Sequence, residues 1–396
     1  MSDIIILANF CFDFSPNDNG RFLYIARMLA EKHSVEIITS DFLHTEKRLR
    51  NKAAAKWPFK VTFLHETGYS KNVCLKRFYS HYIWGKSVKK YLEKRKKPDV
   101  IYCAVPSLSA PLAAAKYCEK NDIRFVIDVQ DLWPEAFQMV VNIPVVSDIV
   151  FFPFKAMADG IYKRADAICA VSRTYVDRAL KVNSKCRKCE SVFLGTDLDT
   201  FDTNAANNKV ERPQDDGLRL AYCGTLGSSY DLTCVIDALD IVKKRGIQPP
   251  EFIVMGDGPD KERFEEYARK KDVDADFVGR MPYDKMCGML KSCDITVNPI
   301  SHGAAQSIIN KHADYVASGL PVLSTQECKE YRHLVKEYQM GFNCKNGDAG
   351  DLADKLIKLI ENADLRRKMG ANARKCANEK FNRANSYQNI IRLILE

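Results

Sequence analysis

Long apolar runs are missing from this 396-residue sequence. The most apolar segment, residues 139–154, is broken by Asn142, Pro144, Asp148 and Pro153. It falls short of the roughly 20 residues a spanning helix needs, so no transmembrane helix is expected. The opening MSDIIILANF lacks the basic start and small-residue cleavage site of a signal peptide, and no secretory leader is expected. The seven histidines form no HxxxH pair or cluster, which argues against a zinc site. Paired cysteine motifs are scarce too: the fourteen cysteines are scattered singly, often inside apolar runs such as Ile101-Tyr102-Cys103-Ala104. That is the pattern of buried free thiols in a reducing cytosol. Cys186 and Cys189 make a lone CxxC with no second pair and no nearby histidine, which reads as a solvated loop.

Acid is scarce in one region. Residues 46–97 hold sixteen Lys/Arg against Glu46, Glu66 and Glu93, a balance of +13 that leaves −4 for the rest of a chain whose total is +9. Trp57, Phe59, Phe63, Tyr69, Phe78, Tyr79, Tyr82 and Trp84 are interleaved with these charges. Basic residues mixed with interfacial aromatics suit an anionic membrane surface. They also suit nucleic acid, and a solvated basic helix face is the plainest alternative.

What is present is a soluble globular composition, 46% apolar and 28% charged, in a chain long enough for two cores. Short apolar runs alternate with helical periodicity from residue 4 to about residue 194, and a second such series starts at residue 218. The stretch 200–217, TFDTNAANNKVERPQDDG, is polar and reads as a linker. The pattern predicts an α/β protein of two doubly wound parallel sheets: an N-terminal domain over 1–200, a C-terminal domain over 201–380, and a helix over 381–396 packing back on the first. A ligand would lie in the cleft between the two sets of strand ends.

Glycine loops follow several predicted strands. The first ends at Gly20 before a helix; others are Cys223-Gly224-Thr225-Leu226-Gly227, Gly256-Asp257-Gly258-Pro259 and Gly279-Arg280. Residues 301–325, SHGAAQSIINKHADYVASGLPVLST, read as loop, helix and strand, with Asn310 and Lys311 opening the helix and Asp314 one turn on. A cation, an acid and a free helix N-terminus would together face a phosphate and a ribose. The plain alternative is a surface helix with a Gly319 C-cap.

These motifs, with LGTDLDTF, CDITVNP and NKHADYVASGLPV, resemble the family 4 retaining glycosyltransferases of the GT-B fold, two Rossmann-like domains facing each other across a cleft. DLWPEAF at residues 131–137 looks like the branch that builds bacterial surface polysaccharides on lipid carriers. The resemblance implies a nucleotide-sugar donor, most readily a UDP-sugar, with no metal or other cofactor required. The domain over 1–200 would bind the acceptor and that over 201–380 the nucleotide-sugar; Gly20, Gly224, Thr225, Gly256 and Gly258 would line the donor phosphates, and Arg280 would hold the base edge. Asn310 and Gln306 would add polar contacts, Asp314 would bond the ribose, and Lys311 would stabilise the departing diphosphate as charge develops there.

Three departures accompany the match. Gln306 stands where the family has the first of two paired acids, Thr225 and Tyr230 stand where an Arg and a Lys often follow the glycine, and a histidine is absent near Ala104. For the acceptor side, Asp131 is the candidate for orienting or partly deprotonating the hydroxyl, with Glu135 sharing the work; the competing role for Asp131 is a helix cap. Asp197-Leu198-Asp199 and the aspartates 272, 274 and 276 imitate metal-binding DxD motifs but fit capping and solvation better. The expected protein is thus a cytoplasmic, peripherally membrane-bound glycosyltransferase acting on a lipid-linked glycan acceptor. It would dock on anionic lipid through residues 46–97 and have no nucleic-acid partner. The alternatives are a nucleotide-sugar 2-epimerase of the same fold or a basic nucleic-acid-binding protein.

Overall fold

The computed structural model describes all residues except 12, 15–19, 51–55, 73, 139–145, 213–216 and 305–307. The chain divides into two compact units, Met1–Val192 together with Tyr387–Glu396, and Phe193–Ser386. The sequence reading put these divisions at 200 and 380.

The first unit is built on a seven-stranded sheet running, in spatial order, Lys60–Leu64, Ser34–Ser40, Asp3–Leu7, Val100–Val105, Arg124–Val129, Ala167–Ala170 and Lys188–Ser191. Every neighbouring pair is parallel. Its central strands are unbroken apolar runs because both faces are covered: Ile4, Ile5, Ile6, Ile101 and Ile127 have no exposed surface. The helix Arg21–Ala30 packs on one face, joined there by Tyr387, Ile390, Leu393 and Ile394 of the last helix. A short antiparallel pair, Phe42–Leu43 with Arg48–Leu49, follows the second strand in sequence.

The second unit carries a six-stranded parallel sheet in the order Ala275–Asp276, Glu251–Met255, Arg219–Cys223, Ile295–Asn298, Val322–Ser324 and Gly341–Asn343. Alternate residues of one strand serve opposite cores: Leu220 and Tyr222 join the cluster under the helices Leu232–Lys244 and Ala349–Glu361, while Ala221 joins the one under Tyr283–Lys291 and Lys311–Ser318.

The expected linker begins as a helix, which runs to Asn207. Leu198–Asn207 is helical because Asp197 caps it, accepting from Thr200 N at 3.0 Å, and because Leu198, Phe201 and Ala205 form one buried stripe. Its Asn and Asp residues occupy the outward face and disguise that stripe.

Candidate active site

Lys311 is the first residue of the helix Lys311–Ser318. That eight-residue helix starts after Asn310, whose side chain makes no capping bond, and stops at Gly319, whose φ of +71 places it in the left-handed region that favours glycine. The Lys311 Nζ lies 4.1 Å from the centre of the Tyr222 ring and 3.8 Å from that of Tyr230, and it has no hydrogen-bond partner among the described residues. Burial pushes its pKa down to about 7. The ring faces attract the ammonium but replace only part of its lost hydration. Tyr222 is fixed by donating to Thr225 O at 2.7 Å, and the two rings meet edge to face at 5.7 Å.

The glycine loops pack against this lysine. Gly224, at φ +145, sits so close that a Cβ there would fall 2.5 Å from Lys311 Nζ. A Cβ on Gly256 would meet Gly224 O at 1.8 Å, and one on Gly258 would meet Leu226 O at 2.2 Å. Backbone bonds from Gly224 N to Met255 O and from Leu226 N to Asp257 O, both 2.9 Å, tie the two loops together. Thr225 is exposed at the tip.

Asp314, one turn along the helix, accepts a bond from the Tyr283 hydroxyl at 2.8 Å, and that hydroxyl lies 2.9 Å from Thr196 Oγ1. Burial raises the Asp314 pKa and the bond from Tyr283 lowers it. Lys311, Asp314 and the loops from Gly224 and Gly256 thus come together in one unit, at the carboxyl ends of its central strands. Arg280 is exposed beyond Gly279, which has φ +75, and Gln306 lies outside the described residues. His312 is fully buried, stacked on Tyr331 at 3.6 Å with Nε2 2.8 Å from Gln326 Oε1, so its place is in the core.

In the other unit, Gly20 is the N-cap residue of the helix Arg21–Ala30. Asp131 accepts from its neighbour Leu132 N at 2.9 Å and from Trp133 Nε1 at 3.2 Å, and burial raises its pKa. It therefore holds the Trp133 ring rather than the N-terminus of the four-residue helix Glu135–Gln138. Glu135 is bonded to Arg178, whose other arm grips Asp159 at 2.7 Å. The sequence reading missed Tyr222 and Tyr230 as partners of the lysine. The only local signal was an aromatic residue where the family often has a cation.

Residues 21–200 match the model of Glycosyltransferase Family 4, and residues 204–376 match that of Glycosyl transferases group 1. An uncharacterized glycosyltransferase of Methanocaldococcus jannaschii, MJ1069, is 22% identical over 233 residues, a match spanning 59% of this chain and 59% of that protein. The crystal structure of Anabaena HepE (Alr3699) in complex with UDP superposes with TM-score 0.70 at 15% identity over 98% of both chains. That of WaaG, a glycosyltransferase involved in lipopolysaccharide biosynthesis, gives 0.67 at 15% over 99% of both. The fold is GT-B, an α/β architecture of two Rossmann-like domains. The chain belongs to the GT-B glycosyltransferases, with a Family 4 domain followed by a group 1 domain.

Proposed function

We propose that this enzyme moves a sugar from a nucleotide-sugar, a UDP-sugar first among them, to a lipid-linked glycan acceptor, with retention at the anomeric carbon, in the synthesis of bacterial surface polysaccharide. The observation that carries the donor half is the Lys311 ammonium, without a hydrogen-bond partner among the described residues and held between Tyr222 and Tyr230 against the backbone of Gly224. A diphosphate seated on the loops at Gly224 and Gly256 would give that ammonium a counter-charge. As the bond from the anomeric carbon to the diphosphate oxygen breaks, negative charge grows there and the lysine stabilises it. UDP bound to HepE, which shares the fold, supports a uridine donor.

Membrane docking is the second part of the reading. Leu75, Tyr79 and Tyr82 on the helix Leu75–Lys94 are 85%, 57% and 49% exposed, and Phe152 is 67% exposed. The rings of Phe78 and Phe154, 4.9 Å apart, bring the two helices bearing these residues together. Lys71, Lys76, Lys86, Lys89 and Lys90 lie on or beside the first helix. Apolar residues ringed by lysines suit an anionic bilayer surface. WaaG, named for lipopolysaccharide biosynthesis, supports the choice of acceptor class.

Lys311→Ala should lower transfer of labelled sugar from UDP-sugars to an extracted lipid acceptor by about 10²–10³-fold with the fold intact. Unchanged transfer in that variant overturns the assignment. For docking, binding to phosphatidylglycerol vesicles should weaken with salt and with charge reversal at Lys89, Lys90, Lys94 and Lys96. Vesicle binding indifferent to both removes the membrane from the reading.

A further inference from the structure

In the Met1–Val192 unit two cations, Arg77 and Lys47, turn toward one group of aromatic rings. Arg77 lies in the first turn of the twenty-residue helix Leu75–Lys94, which has no acidic residue in that turn and no side-chain N-cap bond. A cation there sits at the positive end of a helix, the unfavourable end. Its guanidinium carbon is 4.6 Å from the Trp133 ring centre, 5.6 Å from Tyr69 and 5.7 Å from Phe10. Nη1 donates to Asn72 O at 2.8 Å, while Nε is buried without a partner among the described residues.

Lys47 approaches the same rings from the short antiparallel pair. Its φ of 56 puts a non-glycine residue in the left-handed region, a strained conformation that persists only where the surrounding structure holds it. It directs Nζ to His44 O at 2.6 Å and over the Tyr69 ring at 5.2 Å. His81, 3% exposed, stacks on Trp133 at 5.6 Å, and its Nε2 has no hydrogen-bond partner among the described residues.

Among the described residues neither Arg77 nor Lys47 lies within ion-pair distance of a carboxylate. Of the nearby acids, Glu66 accepts from Ser80 Oγ at 2.9 Å through one of its oxygens, and Asp131 accepts from Leu132 N and Trp133 Nε1. Burial raises both acids toward the neutral form. Burial, followed by the charges of Lys47 and Arg77, pushes His44 down to about 4; burial and then Arg77 push His81 down to about 3. Two cations thus face one ring of aromatics, with no ion pair to either of them among the described residues. Phe10, Tyr69 and Trp133 each follow a strand of the parallel sheet at its carboxyl end, where α/β sheets bind ligands.

We propose that Arg77 and Lys47 form an oxyanion site for the acceptor. The group they take is the diphosphate joining a glycan to its lipid or the carboxylate of an acidic sugar, and the surrounding rings offer stacking faces. The proposal rests on the glycosyltransferase reading for the word acceptor, but binding alone can test it.

The test measures binding of farnesyl diphosphate, farnesol, methyl glucuronide and methyl glucoside to the full chain by calorimetry or ligand-observed NMR. At least one anionic probe should bind while its neutral counterpart does not. Farnesyl diphosphate alone identifies the lipid linkage, and methyl glucuronide alone identifies the sugar. Arg77→Gln and Lys47→Gln should each raise the Kd of that probe at least about tenfold. Arg77→Lys should restore part of it, and Lys311→Ala should leave it unchanged. If Arg77→Gln fails to fold, Lys47→Gln decides. Binding of neither anion, or anion binding indifferent to the folded variants, overturns the proposal. Loss of binding in Lys311→Ala also overturns it, by assigning the anion to the other unit, whereas failed sugar transfer with intact anion binding strikes only the functional reading.

Discussion

Two buried cations open helices in the two units, and they meet opposite fates. Arg21 begins Arg21–Ala30, and its Nε and Nη2 bond the two oxygens of Asp128 at 2.8 and 3.1 Å, with Nη1 on Val192 O at 3.2 Å. Although burial works against the charge, Asp128 raises the Arg21 pKa well above its ordinary value. Lys311 begins Lys311–Ser318 in an equally dry place, yet among the described residues it has two tyrosine faces and no carboxylate partner, and burial wins. A buried charge that the fold has already neutralised is part of the scaffold. One left uncompensated is a destabilising feature that a ligand can relieve.

The contrast can be broken most forcefully by removing the carboxylate. Asp128→Ala leaves a buried guanidinium unpaired and should cost about 3–5 kcal/mol in urea unfolding. Lys311→Met keeps the volume, deletes a desolvated charge, and should be neutral or stabilising by about 1 kcal/mol at pH 7. Equal losses in the two variants would mean that Lys311 is as structural as Arg21 and would remove the reason for assigning it to a ligand.

The same contrast marks what was legible in the sequence. Gly224, Gly256, Lys311 and Asp314 could be named beforehand because their roles are local: a backbone approach only glycine permits, or a position on the first turn of one helix. The unbroken Ile and Val runs likewise announced parallel sheets buried on both faces. Pairings across long separations were not legible. Tyr230 reaches Lys311 from 81 positions away, and the bond between Glu135 and Arg178 spans 43 residues. Glu135 reads as a free carboxylate in its motif, and only the folded chain brings Arg178 to it. Asp131 reads as an acceptor-side carboxylate, with a cap on the short helix that follows as the competing role, whereas its bond to the Trp133 indole is a matter of side-chain packing. The helix at the start of the polar stretch after residue 200 is hard to see because three buried residues, Leu198, Phe201 and Ala205, carry it while most others face out.

The finest distinction between the two cations lies in their protons. Arg21 stays charged at any pH the protein survives, whereas Lys311 in the ligand-free chain is driven down to about 7 from an ordinary 10.5. Between those values the folded chain holds fewer protons at this site than the unfolded chain does, so this group makes ligand-free stability rise with pH across that window. A bound diphosphate reverses the sign, because a negative charge beside the ammonium favours its protonated form and lifts its pKa in the complex. Above about pH 7 donor binding should therefore take up a fraction of a proton, approaching one, and affinity should fall by up to about tenfold per pH unit until the raised pKa is reached. Calorimetry with UDP at pH 8, in two buffers of different ionisation enthalpy, reads the uptake directly. Wild-type protein should show it and Lys311→Met should not. Binding heats that are the same in both buffers would mean that Lys311 does not change its charge when UDP binds, and would leave the two cations alike in the one property that separates scaffold from site.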